Sequence, residues 1–494
     1  MHDADDLDLA TATLADLQQR LRAGRLSSVR LTALYLDRIA AVNSRGPGLH
    51  AVAALAPDAT EQARRADDER AAGRVRGPLH GIPVLVKDNI DVAGIPTTAG
   101  SVALATSVPE RDAPVVASLR SAGVVVLGKT TLTELANFTT EGMPSGYSSL
   151  GGQVLNPYDS SRTPSGSSAG SAVAAAVALA AMTVGTETSG SILSPAQACS
   201  VVGVKPTVGL VSRTGIVPIS GTQDTAGPMA RHVADATALL EAMTGVDPED
   251  PATAASAPHA TPDLLAALAV GVLRGARLGV VADGSPVFAA ALDVLRERGA
   301  VLVPVEVGDT DAPSILTREL RRDLDAYLAR LPHDAPVRTL RELVAHNTVH
   351  AAEALKFGQT LLEASLAVDL ADPSTATGYE ADRERGLAES RAAIDTVLAA
   401  HDLVAIVSAS ATTGVGARAG YPSVSVPAGY SAVGREPVSL VFLGTAWTEP
   451  ALLGLAHDYE QAARVWRPPT QVNPSLFRWT GLGPSPAPDG AGPP

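Results

Sequence analysis

Two clusters of serine residues enclose a run of small apolar residues near the middle of the chain. The first cluster is TPSGSSAGSA, which contains Ser167 and Ser168, and the second is GTETSGSI, which contains Ser191. A serine hydroxyl is a useful nucleophile only when a neighbouring base takes its proton. The clusters could therefore support acyl transfer if a base lies beside them. Without one, they would serve only as caps of a packed helix over residues 172–182.

Lys87 is the candidate base. It follows the run GIPVLV, whose short, apolar and partly β-branched composition predicts a buried strand. Burial disfavours the ammonium form and can lower the pKa of a lysine by several units, so a buried Lys87 would supply a neutral amine. The alternative is an exposed Lys87 that pairs with the adjacent Asp88.

Two other side chains are candidate nucleophiles. The segment GSSAG, residues 166–170, matches the G-x-S-x-G elbow of α/β-hydrolases with Ser168 at its centre. That elbow follows a hydrophobic strand, however, and the preceding NPYDSSRTP predicts a loop. Cys199 is the single cysteine of the chain, and its apolar surroundings predict a small core residue.

Four segments together resemble the amidase signature family. They are GIPVLVKDNI, TPSGSSAGSA, GTETSGSI and VVGVKPTVGLVSRTGIVPIS, in the same order and with similar spacing as in that family. The likeness runs from LADLQQRLRAG to the closing DYEQAAR. It looks nearest to the peptide amidase branch, whose members remove the amide nitrogen from C-terminally amidated peptides, through GTET, QDTAGPMAR and ELANF.

The resemblance implies a role for each of three side chains. Ser191 would attack the amide carbon, Ser167 would relay protons from a position on a cis peptide bond, and Lys87 would be the base. The tetrahedral intermediate also needs hydrogen-bond donors for its oxyanion. The turn TSGS offers the backbone N–H groups of Thr188, Ser189, Gly190 and Ser191.

The substrate pocket is expected to involve the segment between the strand VVVLGK and the first serine cluster, because this segment lines the acyl site in relatives. It contains Ala136, Asn137 and Phe138. The alternative is that Phe138 is a core residue and Asn137 a turn residue. A second candidate lining is LKFGQ, residues 355–359.

The chain departs from the family pattern at several positions. Ser189 stands where much of the family has glycine and the peptide amidase branch aspartate, which matters if this position needs a positive φ. Leu193 stands where an arginine is frequent, so a charge that could anchor substrate is absent there. Ser165 and Ala169 replace common glycines.

The elements that must position these residues predict an α/β protein. Amphipathic helices are expected within residues 13–42, and DAPVVASLRSAG followed by VVVLGKT predicts a helix and a strand. The segments DLVAIVSAS, YPSVSVPAG and VSLVFLG predict further strands before a closing helix. We expect a single domain of residues 1–480, with a mixed, mostly parallel central sheet covered by helices. Residues 245–400 are expected to form an inserted helical lobe, and residues 481–494 a disordered tail.

Composition restricts the partners. The chain has 494 residues and a net charge of −14, which disfavours nucleic acid as a ligand. The acidic start lacks an apolar signal segment, and no stretch of 18 uninterrupted apolar residues occurs, so we expect a cytoplasmic protein that does not enter a membrane. The histidines and the cysteine lack metal-ligand spacing, and we expect neither a metal nor a cofactor. A monomer or a homodimer is expected.

Three functions are compatible with these residues. The favoured one is hydrolysis of a small-molecule or peptide carboxamide through an acyl-serine, with release of ammonia or an amine. The second is a glutamine-hydrolysing subunit of an amidotransferase. The third is a binding protein that keeps the fold without turnover.

Overall fold

The centre of the molecule is one large sheet against which helices pack. The computed structural model describes residues 7–259, 263–332, 335–369, 371–432, 435–478 and 480. The predicted tail of residues 481–494 lies outside the described residues. In the described part of the chain, no helix combines the length and the apolar composition needed to cross a bilayer.

The strands of the described residues, in chain order, are β1 (Val52–Leu55), β2 (Pro83–Lys87), β3 (Val125–Thr130), β4 (Tyr147–Ser148), β5 (Gly152–Gln153), β6 (Met182–Glu187), β7 (Val202–Lys205), β8 (Thr225–Ala230), β9 (Arg277–Val280), β10 (Val301–Pro304), β11 (Ala405–Ser408), β12 (Ser423–Tyr430) and β13 (Pro437–Leu443).

The α-helices of the same residues are α1 (Leu14–Arg22), α2 (Ser28–Ile39), α3 (Ala59–Ala71), α4 (Pro114–Ser121), α5 (Glu134–Asn137), α6 (Ala169–Ala176), α7 (Leu193–Ala198), α8 (Val233–Met243), α9 (Pro286–Glu297), α10 (Leu316–Leu328), α11 (Leu340–Val349), α12 (Ala351–Ala354), α13 (Thr360–Leu366), α14 (Pro373–Ala400), α15 (Thr413–Ala419), α16 (Glu449–Ala463), α17 (Pro469–Val472) and α18 (Pro474–Phe477).

The large sheet has eleven strands in the order β1-β3-β2-β6-β8-β7-β12-β13-β11-β9-β10. Strand β2 lies between β3 and β6 and is parallel to both. Its residues PVLVK are all buried, which is the pattern of a strand covered on both faces. The strand therefore ends with Lys87 inside the protein.

The predicted fold class, a single α/β domain around a large mixed sheet, is confirmed. The expectation that this sheet is mostly parallel is wrong, because four of its neighbouring strand pairs are parallel and six are antiparallel. Five of the antiparallel pairs run through the centre of the sheet from β6 to β11, and the sixth joins β1 to β3 at its edge. Apolar runs mark buried strands of either direction, so the sequence pattern could not distinguish them.

The predicted lobe of residues 245–400 is smaller than expected. Strands β9 and β10 lie within this range, yet they are parallel to each other at the edge of the large sheet, with α9 between them in the chain. Each has only four residues, and such a short run is easily overlooked beside long helices. Helices α10, α11 and α13 instead share a separate apolar cluster that includes Leu320, Leu343 and Leu362 and also reaches Leu135.

Helix α6 packs tightly because its sequence, AGSAVAAA, consists of small residues that are all buried. Its C-terminal end is satisfied by two buried arginines: Arg38 Nε donates to Val177 O at 2.6 Å, and an Arg231 guanidinium N–H donates to Ala175 O at 3.0 Å. A helix can be buried in this way only when such terminal carbonyls find donors.

Gly170 of α6 lies directly against the backbone of two neighbouring segments. A Cβ atom there would collide with the backbone oxygens of Ala51 and Thr131. We expect Gly170→Ala to lower the free energy of unfolding by about 3 kcal/mol, because backbone atoms cannot move aside as a side chain can. Urea denaturation followed by circular dichroism measures this.

The matched control is Gly378→Ala in α14, where a new Cβ meets nothing within 4 Å. This variant should gain about 0.5–1 kcal/mol, as alanine does over glycine inside a helix. Equal stabilities of the two variants would contradict the described packing of α6.

Candidate active site

Lys87 lies at the C-terminal end of β2 and is 0% exposed. Its Nζ atom lies 2.8 Å from Ser167 Oγ, 2.9 Å from Ser168 Oγ, 2.8 Å from Thr186 Oγ1 and 3.2 Å from Thr186 O. Lys87 is therefore surrounded by hydroxyl and carbonyl oxygens. The alternative pairing with Asp88 does not occur, because that carboxylate instead bonds Lys129 Nζ at 2.9 Å.

The pKa of Lys87 is lowered to about 7. Burial is the main cause, since it disfavours the ammonium form, and the charges of Asp224 and Glu187 act in the opposite direction. An amine with this pKa is substantially neutral at physiological pH. A neutral amine can accept a proton from a hydroxyl at hydrogen-bond distance.

Ser167 and Ser168 occupy the loop before α6. The Gly166–Ser167 peptide bond is cis. A side chain at Gly166 would collide with Thr133 Oγ1, so the approach of this loop to Thr133 needs glycine. Ser165 has φ 61°, a conformation that favours the glycine common at this position in the family.

The two serines differ in their hydrogen bonds. Ser168 Oγ donates to Thr186 O at 3.0 Å and accepts from Thr186 N at 3.2 Å, so its hydroxyl ties the loop to β6. Both hydroxyls accept from Lys87 Nζ, but Ser167 Oγ forms no further hydrogen bond within the described residues. No strand among the described residues directly precedes Ser168, so the structure also lacks the strand on which a nucleophile elbow is built.

Ser191 lies in the turn between β6 and α7 and is 8% exposed. Ser168 N donates to Ser191 O at 3.1 Å, which brings the two serine clusters together. Glu187 fixes the far end of the turn, because its Oε2 atom accepts from Ile192 N at 2.7 Å and from Leu193 N at 2.9 Å. A carboxylate at the start of a helix stabilises it in this way.

The turn before α7 exposes backbone donors. The N–H groups of residues 188–191 form no hydrogen bond within the described part of the chain, unlike those of Ile192 and Leu193. Gly190 has φ 84°, whereas Ser189 is not among the residues of positive φ. The serine that replaces glycine or aspartate at position 189 therefore needs no left-handed conformation.

A cavity of about 250 Å³ reaches the turn at Thr188. Ala136 lines it, as do the loop of residues 213–221 and side chains of α10, among them Tyr327. Asn137 and Phe138 are absent from its lining. Asn137 is exposed at the end of α5, and the partly buried Phe138 packs against the apolar cluster that contains Leu320 and Leu343. The LKFGQ segment is also absent from the lining, and its Phe357 ring packs against Tyr147.

Sequence reasoning missed three residues at this site, which are the buried Asn89 and Thr186 and the partly buried Asp224. Asn89 Nδ2 donates to Thr186 Oγ1 at 3.0 Å, and Asp224 Oδ1 accepts from Thr188 Oγ1 at 2.5 Å. Asp224 belongs to the QDTAGPMAR motif, which marked this segment as a family motif. The motif did not indicate that Asp224 bonds Thr188. Cys199, in contrast, is a buried thiol whose pKa burial raises, as expected of a core residue.

Comparisons with known proteins agree with this geometry. A family model described as Amidase matches residues 30–413. A probable amidase of Arabidopsis thaliana is 40% identical over 476 residues, which cover 93% of this chain and 91% of that protein. A glutamyl-tRNA(Gln) amidotransferase subunit of Salinispora arenicola is 42% identical over 311 residues, which cover 60% of this chain and 61% of that protein.

Solved structures show the same relationship. The native peptide amidase from Stenotrophomonas maltophilia matches with a TM-score of 0.88 and 46% identity, over 93% of this chain and 98% of that one. An amidase family protein from Bacillus anthracis matches with a TM-score of 0.89 and 36% identity, over 93% and 92% of the two chains. The predicted resemblance is thereby confirmed, and the chain belongs to the amidase signature family as a hydrolase of amide C–N bonds.

Proposed function

We propose that the enzyme hydrolyses carboxamides through an acyl intermediate on Ser191, with Ser167 as the proton relay and Lys87 as the base. The observation that carries the proposal is the contact of 2.8 Å between Lys87 Nζ and Ser167 Oγ, inside a site where Lys87 is 0% exposed. Burial gives a neutral amine, and the contact gives that amine a hydroxyl from which to take a proton.

Acylation begins when Ser191 Oγ attacks the amide carbon. Its proton moves to Ser167 while the Ser167 proton moves to Lys87, so the charge that develops on Lys87 balances the oxyanion. Collapse of the tetrahedral intermediate breaks the C–N bond, and the leaving nitrogen takes a proton returned through Ser167. Ammonia or an amine leaves, and the acyl group remains as an ester of Ser191.

Deacylation follows the same proton path. Water attacks the ester carbon and gives its proton through Ser167 to Lys87. The second intermediate collapses to the carboxylic acid, and the proton returns to Ser191. The amine is neutral again, so the cycle closes without any other reactant.

The oxyanion of both intermediates would be held by backbone N–H groups of residues 188–191. Support for this role comes from their lack of hydrogen-bond partners within the described residues. Glu187 supports it further, because its bonds to Ile192 N and Leu193 N hold the following residues of the turn. Rigid donors of this kind stabilise the transition state because they need not reorganise during the reaction.

The favoured substrate is an uncharged amide, with the C-terminal amide of a peptide as the leading candidate. Relatives with solved structures include the peptide amidase at 46% identity. The cavity beside Thr188 is open to solvent and has apolar walls at Ile216, Val217 and Ile219, which suit the side chain of a peptide residue. Ala136 is the one residue proposed earlier for substrate contact that faces this cavity.

A glutamine-hydrolysing subunit is the second candidate, favoured by the similarity to the amidotransferase protein. Glutamine carries a carboxylate and an ammonium that need charged partners at the site. Leu193 supplies none, because it is 2% exposed and its N–H is bonded to Glu187.

Replacement of the nucleophile should stop turnover. We expect Ser191→Ala to lower ammonia release from a C-terminally amidated peptide by roughly 10⁴-fold or more, because the acyl bond can no longer form. The exposed Ser160→Ala is the control and should remain active. A fluorophosphonate probe should label the native enzyme and not the Ser191→Ala variant. If the Ser191→Ala variant releases ammonia at an undiminished rate, the mechanism is refuted.

The rate should depend on pH through Lys87. Since the neutral amine is the active form and its pKa is about 7, kcat/KM should rise with pH and be half-maximal near pH 7. Below this pH, the ammonium cannot accept a proton and activity falls. Initial rates between about pH 5 and about pH 9 at constant ionic strength measure the rise.

Glu134 provides the control for this profile, because burial raises its pKa to about 7 as well. Glu134→Gln should retain the rise if Lys87 causes it. Loss of the rise in this variant would assign the titration to Glu134 instead.

The glutaminase alternative has its own measurement. We expect kcat/KM for free glutamine to be at least about 10²-fold below that for an amidated peptide, because Leu193 offers no charge to anchor glutamine at that position. Efficient glutamine hydrolysis that requires a second protein would instead support the amidotransferase function.

A further inference from the structure

Asp224 is a partly buried carboxylate in the loop directly before β8. Its Oδ2 atom accepts from Ile219 N at 2.8 Å and from Ser220 N at 2.9 Å, and its Oδ1 atom accepts from Thr188 Oγ1 at 2.5 Å. The neighbouring Gln223 donates through Nε2 to Thr188 O at 3.1 Å. Thr188 is thus held at both its hydroxyl and its carbonyl.

The loop that carries Asp224 is itself held by the lobe. Glu319 of α10 is 0% exposed and accepts from the hydroxyls of Ser220 and Thr222. Tyr379 of α14 donates to the same carboxylate at 2.5 Å. Helix α10 therefore fixes the loop through Glu319. Because the loop is fixed, the bond from Thr188 to Asp224 can hold the turn of residues 188–191 in place.

We propose that Asp224 is a positioning residue of the hydrolysis, which fixes Thr188 at the start of the turn before Ser191 and acts on the Lys87 amine through its negative charge. This inference rests on the proposed function, because it assigns Asp224 an effect on that base and that turn. Asp224 does not touch the reacting atoms in this role.

The charge of Asp224 is present in the pH range where Lys87 titrates. Burial raises the pKa of Asp224 to about 6. The hydrogen bonds from Thr188, Ser220 and Ile219 and the charge of Arg213 lower this pKa and so oppose the effect of burial. The carboxylate is therefore ionised when Lys87, with a pKa of about 7, loses its proton. The charged groups around this pair include Arg213 in the preceding loop with its partner Asp250, Glu187 on β6, and Glu319 and Asp323 on α10.

The proposal has a signature that a purely structural role lacks. A negative charge favours the ammonium form of Lys87, so its removal should lower the pKa of Lys87 further. In Asp224→Asn, we expect the rise of kcat/KM to move to lower pH by at least about half a unit, with a plateau reduced roughly 10- to 100-fold by a looser turn.

Thr188→Val separates the two effects. It removes the hydroxyl that donates to Asp224 and keeps the carboxylate, so the plateau should fall while the pH of half-maximal rate moves less than in Asp224→Asn. Asp293→Asn on the exposed face of α9 is the matched control and should change neither quantity. Circular dichroism establishes that each variant is folded.

If folded Asp224→Asn has an unchanged pH of half-maximal rate, the inference about Asp224 is overturned. The proposed function is still supported in that case if the Ser191→Ala and Lys87→Met variants are inactive. Active Ser191→Ala would instead refute the proposed function itself. If Asp224→Asn does not fold, the rate of fluorophosphonate labelling of Ser191 in Thr188→Val decides. A fall of roughly 10-fold or more supports the positioning role, and an unchanged rate overturns it.

Discussion

The site depends on a lysine that is buried without a carboxylate bonded to it. Two lysines end up inside the sheet on adjacent strands, and their surroundings differ. Lys129 on β3 forms an ion pair with Asp88, whereas Lys87 on β2 contacts hydroxyl and carbonyl oxygens of Ser167, Ser168 and Thr186. Desolvation without a bonded counter-charge stabilises the free amine, which is the form that the proposed mechanism requires of Lys87.

The surrounding elements keep the Lys87 amine buried and hold the hydroxyl groups that contact it in position. Parallel neighbours on both sides bury β2 completely, and the small residues of α6 allow the serine loop to approach the end of the strand. Ser168 contributes by bonding both the N–H and the carbonyl of Thr186, which fixes the loop to β6. Ser168, the neighbour of the proposed relay Ser167, thus holds the loop in place against β6.

Much of this arrangement could be predicted from the sequence. The strand that ends at Lys87, the helices α1 and α2, and the strands β11 to β13 follow from local apolar patterns. Strand direction did not follow, since apolar runs look alike in both directions. The contact of Asp224 with Thr188 was equally hidden, because it joins residues 36 positions apart through a loop of irregular shape.

The helical lobe borders the cavity but supplies none of the atoms that contact Lys87. Asp323, Ala326, Tyr327 and Arg330 form one wall, while the partners of the amine come from the serine loop and β6. Substitutions at these positions can therefore change one wall of the cavity while leaving the contacts of Lys87 intact. A combinatorial library restricted to them would vary the shape and charge of that wall and retain the surroundings of the amine.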